Sequence, residues 1–307
     1  MKEIKKYTDI IRYGKQETED VLKKGDYITI TEKMDGANAS FRIDETNPLG
    51  VSCYSRNKPL NAENTLGGFY NWVVDNIVPI KDKLNPNYIY YGEWMNPHKV
   101  KYKEEIYKEF YMFSIWDLSQ EINQYVSDEI VKEESKRLNI KTVDYFYEGE
   151  FISLEHLMSF VGKSNITLEP NTGEGIVIKN VNYFDKYNRQ CFVKLVSDTF
   201  KEVKRQRVDR IPKEIPKGYL ELMSVLTKAR VDKILYKIVD EGIISDDDIC
   251  IENMGNLLKI INNLTYEDIL KEESDIIGEL DQKDMRKLIG KKLPLIIKDI
   301  LKERGRM

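Results

Sequence analysis

The sequence predicts a mixed α+β domain followed by a smaller, all-helical C-terminal domain, and three observations carry that reading. Short β-rich runs separated by turn signals recur from about Gly25 to about Val196. Stretches of helical period lie between them. After Pro216 the pattern becomes wholly helical, and Pro212 and Pro216 interrupt both periodicities at the change. The expected division is a first domain over residues 1–210, a basic, proline-containing linker over 211–217, and a helical domain over 218–307.

The β-rich runs are Tyr27 to Thr31, Ala39 to Ile43, Val51 to Tyr54, Tyr88 to Trp94, Phe110 to Trp116, Gly175 to Lys179 and Cys191 to Val196. Each is rich in β-branched or aromatic residues. The segment Asp44-Glu45-Thr46-Asn47-Pro48-Leu49-Gly50 supplies the turn between the second and third. Helices are expected over Gln16 to Lys24, Gly67 to Ile77, Ser127 to Leu138 and Leu154 to Val161. Beyond Pro216, Leu222, Val225, Leu226 and Ala229 share one helical stripe and Val231, Ile234, Leu235 and Ile238 another, closed by Gly242. Further helices are expected at Asp246 to Ile261, Tyr266 to Glu273, Ile276 to Leu288 and Pro294 to Glu303, their apolar stripes forming a helical core.

At 307 residues the chain can bury two modest cores, and its 41% hydrophobic and 33% charged content is that of an ordinary globular protein. A net charge of -4 excludes a protein that coats nucleic acid by bulk charge, so any such contact needs a local basic surface. Cys53, Cys191 and Cys250 lack metal-site spacing and fit buried thiols in a reducing compartment. The N-terminus has no apolar signal core, and no apolar run is long enough to span a bilayer. A cytoplasmic protein without membrane contact is expected.

Thr31-Glu32-Lys33-Met34-Asp35-Gly36-Ala37-Asn38 contains Lys-x-Asp-Gly, the setting of a nucleophilic lysine and equally of a plain hairpin turn. A lysine titrates near ~10.4, so a nucleophilic one needs neighbours that favour its neutral form. Downstream, Tyr54-Ser55-Arg56-Asn57 ends a strand with an arginine able to fork onto a ribose or phosphate oxygen. Glu93 closes an apolar, aromatic strand, where a carboxylate needs a cation, a hydroxyl or a substrate ribose. The strand Phe110 to Trp116 offers a ring for purine stacking, with Tyr111 on the same face as Phe113 and Trp116 on the other. Gly173-Glu174-Gly175-Ile176-Val177-Ile178-Lys179 sets an acid in a glycine turn and a lysine at the end of an apolar strand. Lys194, inside Cys191 to Val196, is costly there unless it meets an anion. Each has a structural reading of its own.

In this order the set resembles the motifs of the covalent nucleotidyltransferase superfamily, and within it the nick-sealing RNA ligases of the phage and kinetoplastid-editing type. The resemblance covers roughly the first two thirds of the chain and implies a nucleotidyltransferase domain of antiparallel sheets with flanking helices. It implies that Lys33 attacks the α-phosphorus of ATP to form lysyl-AMP, and that AMP passes to a 5′-phosphate end which a 3′-hydroxyl then seals. Lys179 and Lys194 would stabilise the charge on phosphorus, and a cluster of such cations would disfavour the ammonium form of Lys33. Glu174 would hold a hydrated Mg²⁺ or Mn²⁺ through water. Glu93 and Arg56 would contact the ribose, Glu32 the adenine edge and Phe113 the adenine face, with Asn38 completing the nucleotide site. With only His98 and His156 in the chain, a histidine-based zinc site is disfavoured.

Relatives that seal DNA or cap messenger RNA carry an OB-type barrel after the catalytic domain. The helices here are instead similar to the C-terminal domain of the RNA ligases. The partner implied is RNA with 5′-phosphate and 3′-hydroxyl ends, nicked or duplex. Lys201, Lys204, Arg205 and Arg207 offer a phosphate-contacting strip or a solvated linker. One departure stands out. The family ends its last motif with two lysines one residue apart, whereas Lys194 is followed at that spacing by Val196. A DNA-sealing or GTP-using enzyme and a binding module without turnover remain the alternatives.

Overall fold

Period-two alternation of apolar and polar residues builds two five-stranded sheets whose remaining faces enclose a cleft. In the computed structural model the described residues are 4–15, 18, 20–121, 124–185, 189–197, 218–277 and 281–306. They divide into two compact units, Met1–Ser197 and Asp198–Met307.

The strands of the first unit are β1 (Ile10–Arg12), β2 (Tyr27–Lys33), β3 (Ala37–Ile43), β4 (Val51–Ser55), β5 (Tyr88–Trp94), β6 (Phe110–Asp117), β7 (Lys141–Thr142), β8 (Tyr145–Glu150), β9 (Gly175–Phe184) and β10 (Gln190–Val196). One sheet runs β1-β10-β9-β2-β8 and the other β4-β3-β5-β6-β7. Pairing is antiparallel except at β1 with β10 and β6 with β7. The seven strands expected from sequence are all present. The short β1, β7 and β8 were not expected: β1 and β7 are too brief to show alternation, and β8 is half-exposed.

In the first sheet Ile28, Ile30, Ile176, Ile178 and Val193 bury one face against Val21, Leu22 and Leu157. In the second, Ala39, Phe41, Tyr90, Phe110, Met112 and Ile115 pack against helix α1 (Phe69–Asn76) and helix α2 (Asp128–Leu138). Thr29, Thr31, Lys33, Val177, Lys179, Phe192 and Lys194 are left on the opposite face of the first sheet. Tyr7, Tyr91, Tyr125 and Phe192, joined by Phe113 and Trp116, close one end of the space between the sheets. That cluster corrects one expectation: Phe113 and Trp116 share it instead of lying on opposite faces. The β5/β6 register shifts between Tyr91, opposite Ser114, and Gly92, opposite Met112, which leaves Phe113 as the extra residue of a bulge.

The helix expected over Leu154 to Val161 is shorter, α3 (Leu154–Met158). Of the helix expected over Gln16 to Lys24, residues 16, 17 and 19 lie outside the described set and the others form no α-helix.

The second unit holds α4 (Tyr219–Val225), α5 (Lys228–Asp240), α6 (Met254–Ile277) and α7 (Gln282–Glu303) around one apolar core. The break expected between Ile261 and Tyr266 is absent, and α6 instead kinks at Glu273. There Glu273 pairs at 2.6 Å with Arg230, whose side chain is fully buried and also meets Asp268. Pro294 lies inside α7 instead of starting a helix. Its ring faces the carbonyl four residues back, at Gly290. Met285, Ile289, Leu293, Ile297 and Ile300 keep one buried stripe across it. No helix among the described residues is long and apolar enough to cross a membrane.

Candidate active site

Lys33 is the last residue of β2, and its Nζ donates to Oε2 of Glu174 at 2.6 Å. The pair is largely sheltered, with 19% of the lysine side chain and 8% of the glutamate exposed. Glu174 reaches this place because Gly175 lets β9 press against β10: a Cβ there would lie 2.1 Å from the Leu195 carbonyl oxygen. Gly36 is equally constrained, since a Cβ would sit 2.6 Å from the Trp94 oxygen. Its N–H instead donates to Glu93 Oε1 at 3.1 Å, which ties the turn after Lys33 to the second sheet.

Asp35 secures the same turn. It accepts from the Val100 N–H at 2.9 Å and faces His98 Nδ1 at 3.5 Å, while its own N–H donates to the Tyr102 hydroxyl at 2.8 Å. Burial alone would raise its pKa, yet His98, the Val100 amide and Lys33 together hold it below the ordinary range. Sequence reasoning did not single out His98 or Tyr102 as supports, because their loop approaches the turn only in the tertiary fold.

Lys33 thus meets a carboxylate first, where a cluster of cations was expected. In this arrangement its side chain is paired with the Glu174 carboxylate.

Lys194 lies opposite Val177 and Val196 opposite Gly175, which itself pairs with Lys33. Lys194 is 8% exposed and lies on the cleft face, one row of side chains from Lys33. Lys179 is not brought to Lys33. It lies opposite Thr29, four residues or ~13 Å farther along the sheet. Its ammonium pairs with Asp128 Oδ1 at 2.7 Å and also donates to the Phe113 carbonyl. Asp128 in turn accepts from Thr29 and, at 3.2 Å, from the Tyr145 hydroxyl. Lys179, expected at the phosphates, is held here in a buried hub and donates to the backbone carbonyl of the residue expected to stack. Asp128 opens α2 in a way any N-terminal aspartate would, so the sequence carried no signal for it.

The Phe113 ring is half-buried and meets Tyr7 in a T-shaped pair with ring centroids 4.9 Å apart. Val177 stands on the cleft face of the other sheet. Asn38 pairs with Glu93 across β3 and β5, on the face away from that sheet's core. Arg56 pairs with Asp9, just before β1, where a ribose contact was expected. Glu32 was expected at the adenine edge. Strand alternation turns it to the face of β2 opposite Lys33, beside Ser164, away from the Phe113 cleft. Lys201, Lys204, Arg205 and Arg207 lie outside the described residues, as does the boundary expected over 211–217.

Burial raises Glu32 to about 7, with Ser164 opposing and Asp144 adding to the shift. Glu93 also rises to about 7, through burial, with Lys33 opposing and Glu174 adding. The unfolded chain releases these protons near the ordinary ~4.3. Between those values the folded state binds more protons than the unfolded, so stability falls as pH rises through the interval. The variant Glu32→Gln with Glu93→Gln should therefore melt increasingly above wild type as pH is raised from about 4 to about 8, with no gain at the acid end. A melting difference that is flat with pH would show that neither carboxyl retains its proton.

Among the described residues no three His, Cys, Asp or Glu side chains converge to hold a metal ion. A single carboxylate, Glu174 beside Lys33, would fit a hydrated divalent ion that takes its remaining oxygens from water and substrate.

A lysine at the end of a strand, paired with a glutamate from a neighbouring strand above a cation-bearing cleft, defines the nucleotidyltransferase class. The RNA ligase family model matches residues 26–196, and the chain belongs to that family. The solved structures it resembles include Naegleria gruberi RNA ligase with PPi, at 21% identity and a TM-score of 0.49 over 64% of this chain and 57% of that one. A variant of that Naegleria ligase with ATP and Mn matches at 20% identity and a TM-score of 0.48, over 64% and 56%. The chain therefore spans little more than half the length of these structures. No curated protein matches it.

Proposed function

We propose that this protein is an ATP-dependent RNA ligase that works through a lysyl-AMP at Lys33. The observation that carries the reading is the Lys33–Glu174 pair at 2.6 Å, set on a cleft face that also bears Lys194 and is met by Phe113 from the facing sheet. The Lys33 nitrogen, having lost a proton, forms a bond to the α-phosphorus of ATP while the bond to the bridging oxygen breaks, and pyrophosphate departs with the electron pair. AMP then passes to the 5′-phosphate of an RNA end. A 3′-hydroxyl attacks that phosphate, joins the strands and releases AMP.

Phe113 and Val177 enclose the adenine from the two sheets, Glu93 and Asn38 face the ribose, and Lys194 meets the phosphates. Glu174 would hold a hydrated divalent ion through water, and such an ion would supply neutralisation of phosphate charge. Lys201, Lys204, Arg205 and Arg207 contact the RNA backbone, and the helical residues 218–307 serve the RNA-dependent steps. The substrate is RNA with 5′-phosphate and 3′-hydroxyl ends, in a nick or duplex.

Incubation with α-labelled ATP and Mg²⁺ is expected to leave acid-labile label on the protein, mapped by mass spectrometry to the Lys33 peptide. Parallel reactions with GTP, and with nicks carrying RNA or DNA on the 3′-hydroxyl side, should favour ATP and RNA. Absence of any adduct would overturn the mechanism.

A further inference from the structure

We propose that Tyr102 is a positioning residue for Lys33: its hydroxyl fixes the turn that follows the nucleophile, and its own segment ties that turn to the loop carrying Glu174. The inference rests on the ligase reading above. The ladder of β2 ends at Lys33, opposite Gly175, and β3 begins in the other sheet at Ala37. Met34, Asp35 and Gly36 cross between the sheets outside both ladders, so their amides need other partners. Side chains meet two of them. The Gly36 N–H donates to Glu93 Oε1 at 3.1 Å and the Asp35 N–H to the Tyr102 hydroxyl at 2.8 Å. Glu93 faces the ribose in the reading above, so its carboxylate is shared with substrate. Tyr102 is 2% exposed and has no part in the nucleotide contacts, which leaves its hydroxyl to hold the turn.

Tyr102 is itself braced. Its N–H donates to the Tyr107 hydroxyl at 3.0 Å, and it forms an antiparallel bridge with Thr167. On either side the Leu168 N–H donates to the Lys101 oxygen at 2.9 Å and the Lys103 N–H to the Ile166 oxygen at 3.0 Å. The same short segment holds Asp35 a second time, through the Val100 N–H and a carboxylate oxygen at 2.9 Å. From Thr167 the chain returns toward the sheet at Gly173, whose N–H donates to the Gly162 oxygen at 3.0 Å, and Glu174 follows. The return is closely packed, since a Cβ on Gly173 would lie 3.2 Å from that of Ser164. Residues 100–103 therefore bond at once to the turn after Lys33 and to the loop that presents Glu174, which Lys33 meets at 2.6 Å. That brace sets where the lysine stands relative to the reacting phosphorus, and transfer is sensitive to it: a misplacement of about 1 Å costs about 10²-fold in rate.

The test measures single-turnover adenylylation over a range of ATP concentrations in the full chain, beside thermal melting. Tyr102→Phe keeps the ring and removes only the acceptor of the Asp35 N–H. It is expected to lower the maximal rate by about 10²-fold and to leave the KM for ATP unchanged, because the contacts to base and ribose stay in place. Tyr107→Phe is the matched control. It removes a hydroxyl of the same segment that accepts the Tyr102 N–H instead of one from the Lys33 turn. It should lower the melting temperature as much as Tyr102→Phe does and keep most of the maximal rate. A wild-type maximal rate in Tyr102→Phe would overturn the proposal and leave the ligase reading intact. Equal slowing in the two variants, or a Tyr102→Phe loss confined to KM, would also overturn it, since neither follows from a displaced nucleophile. Failure of the wild type to form any adduct would overturn both readings.

Discussion

Lys33→Ala is expected to abolish lysyl-AMP formation completely while leaving the protein folded. No other described lysine shares both the cleft face and the contact with Glu174, so removing the nucleophile removes the covalent route entirely. The substitution also strands Glu174, whose side chain is only 8% exposed, without its cation. A buried partner left unsatisfied costs about 1–3 kcal/mol, which should appear as a lower melting temperature. Pairing Lys33→Ala with Glu174→Gln should restore the stability and none of the labelling. That separation of stability from chemistry is the informative result. If label persisted in Lys33→Ala, the nucleophile would lie elsewhere; if stability did not recover in the double variant, the loss would come from something other than the stranded carboxylate.

Asp128→Ala should produce the largest loss of stability, about 3–5 kcal/mol, because it leaves the Lys179 ammonium buried without its counter-charge. Both side chains of that pair are 3% exposed. Thr29 and Tyr145 lose an acceptor in the same substitution. Replacing the pair together, Asp128→Ala with Lys179→Met, should return much of the stability, since an apolar pair of suitable volume removes the desolvation cost. The double variant also decides what Lys179 does. If it anchors the Phe113 backbone, adenylylation in the double variant should keep its maximal rate and show a raised KM for ATP as the ring loosens. A refolded double variant with its maximal rate collapsed would return Lys179 to the phosphates and refute the positioning role. Chemical denaturation and single-turnover labelling measure the two effects separately.

These variants show why parts of the site were legible in the sequence and parts were not. Lys33, Glu93, Glu174 and Lys194 could be named as candidates because their motifs stand in the order that the superfamily shows, and glycine turns fix two of those motifs locally. Gly36 and Gly175, for instance, sit where any Cβ would strike the neighbouring strand's carbonyl. The role of Lys179 was not legible. Its motif places it on a strand, but the deciding partner, Asp128, is 51 residues away. Adjacency to Lys33 in sequence puts Glu32 on the opposite face of β2, a placement that only the strand assignment shows. Phe113 and Trp116 were separated by a simple count of two that a bulge cancels.

The helical unit shows the same limit from another side. Its apolar stripes located every helix, yet the breaks were misplaced, because a shared core carries α6 through Tyr266 and α7 through Pro294 against local preference.

By itself, the sequence determined that the chain is α+β followed by helices, that it belongs with lysine nucleotidyltransferases, and which residue is the candidate nucleophile. The fold class follows from short-range periodicity, and the kinship from short motifs whose order over roughly the first two thirds of the chain resembles that superfamily. Only the tertiary structure decided that Lys33 rests against Glu174, that Lys179 is bound to Asp128, and that Arg12 lies beside Lys194. Each of these depends on strand register between segments distant in the chain, and β1 is three residues long, too short for any periodicity to announce it.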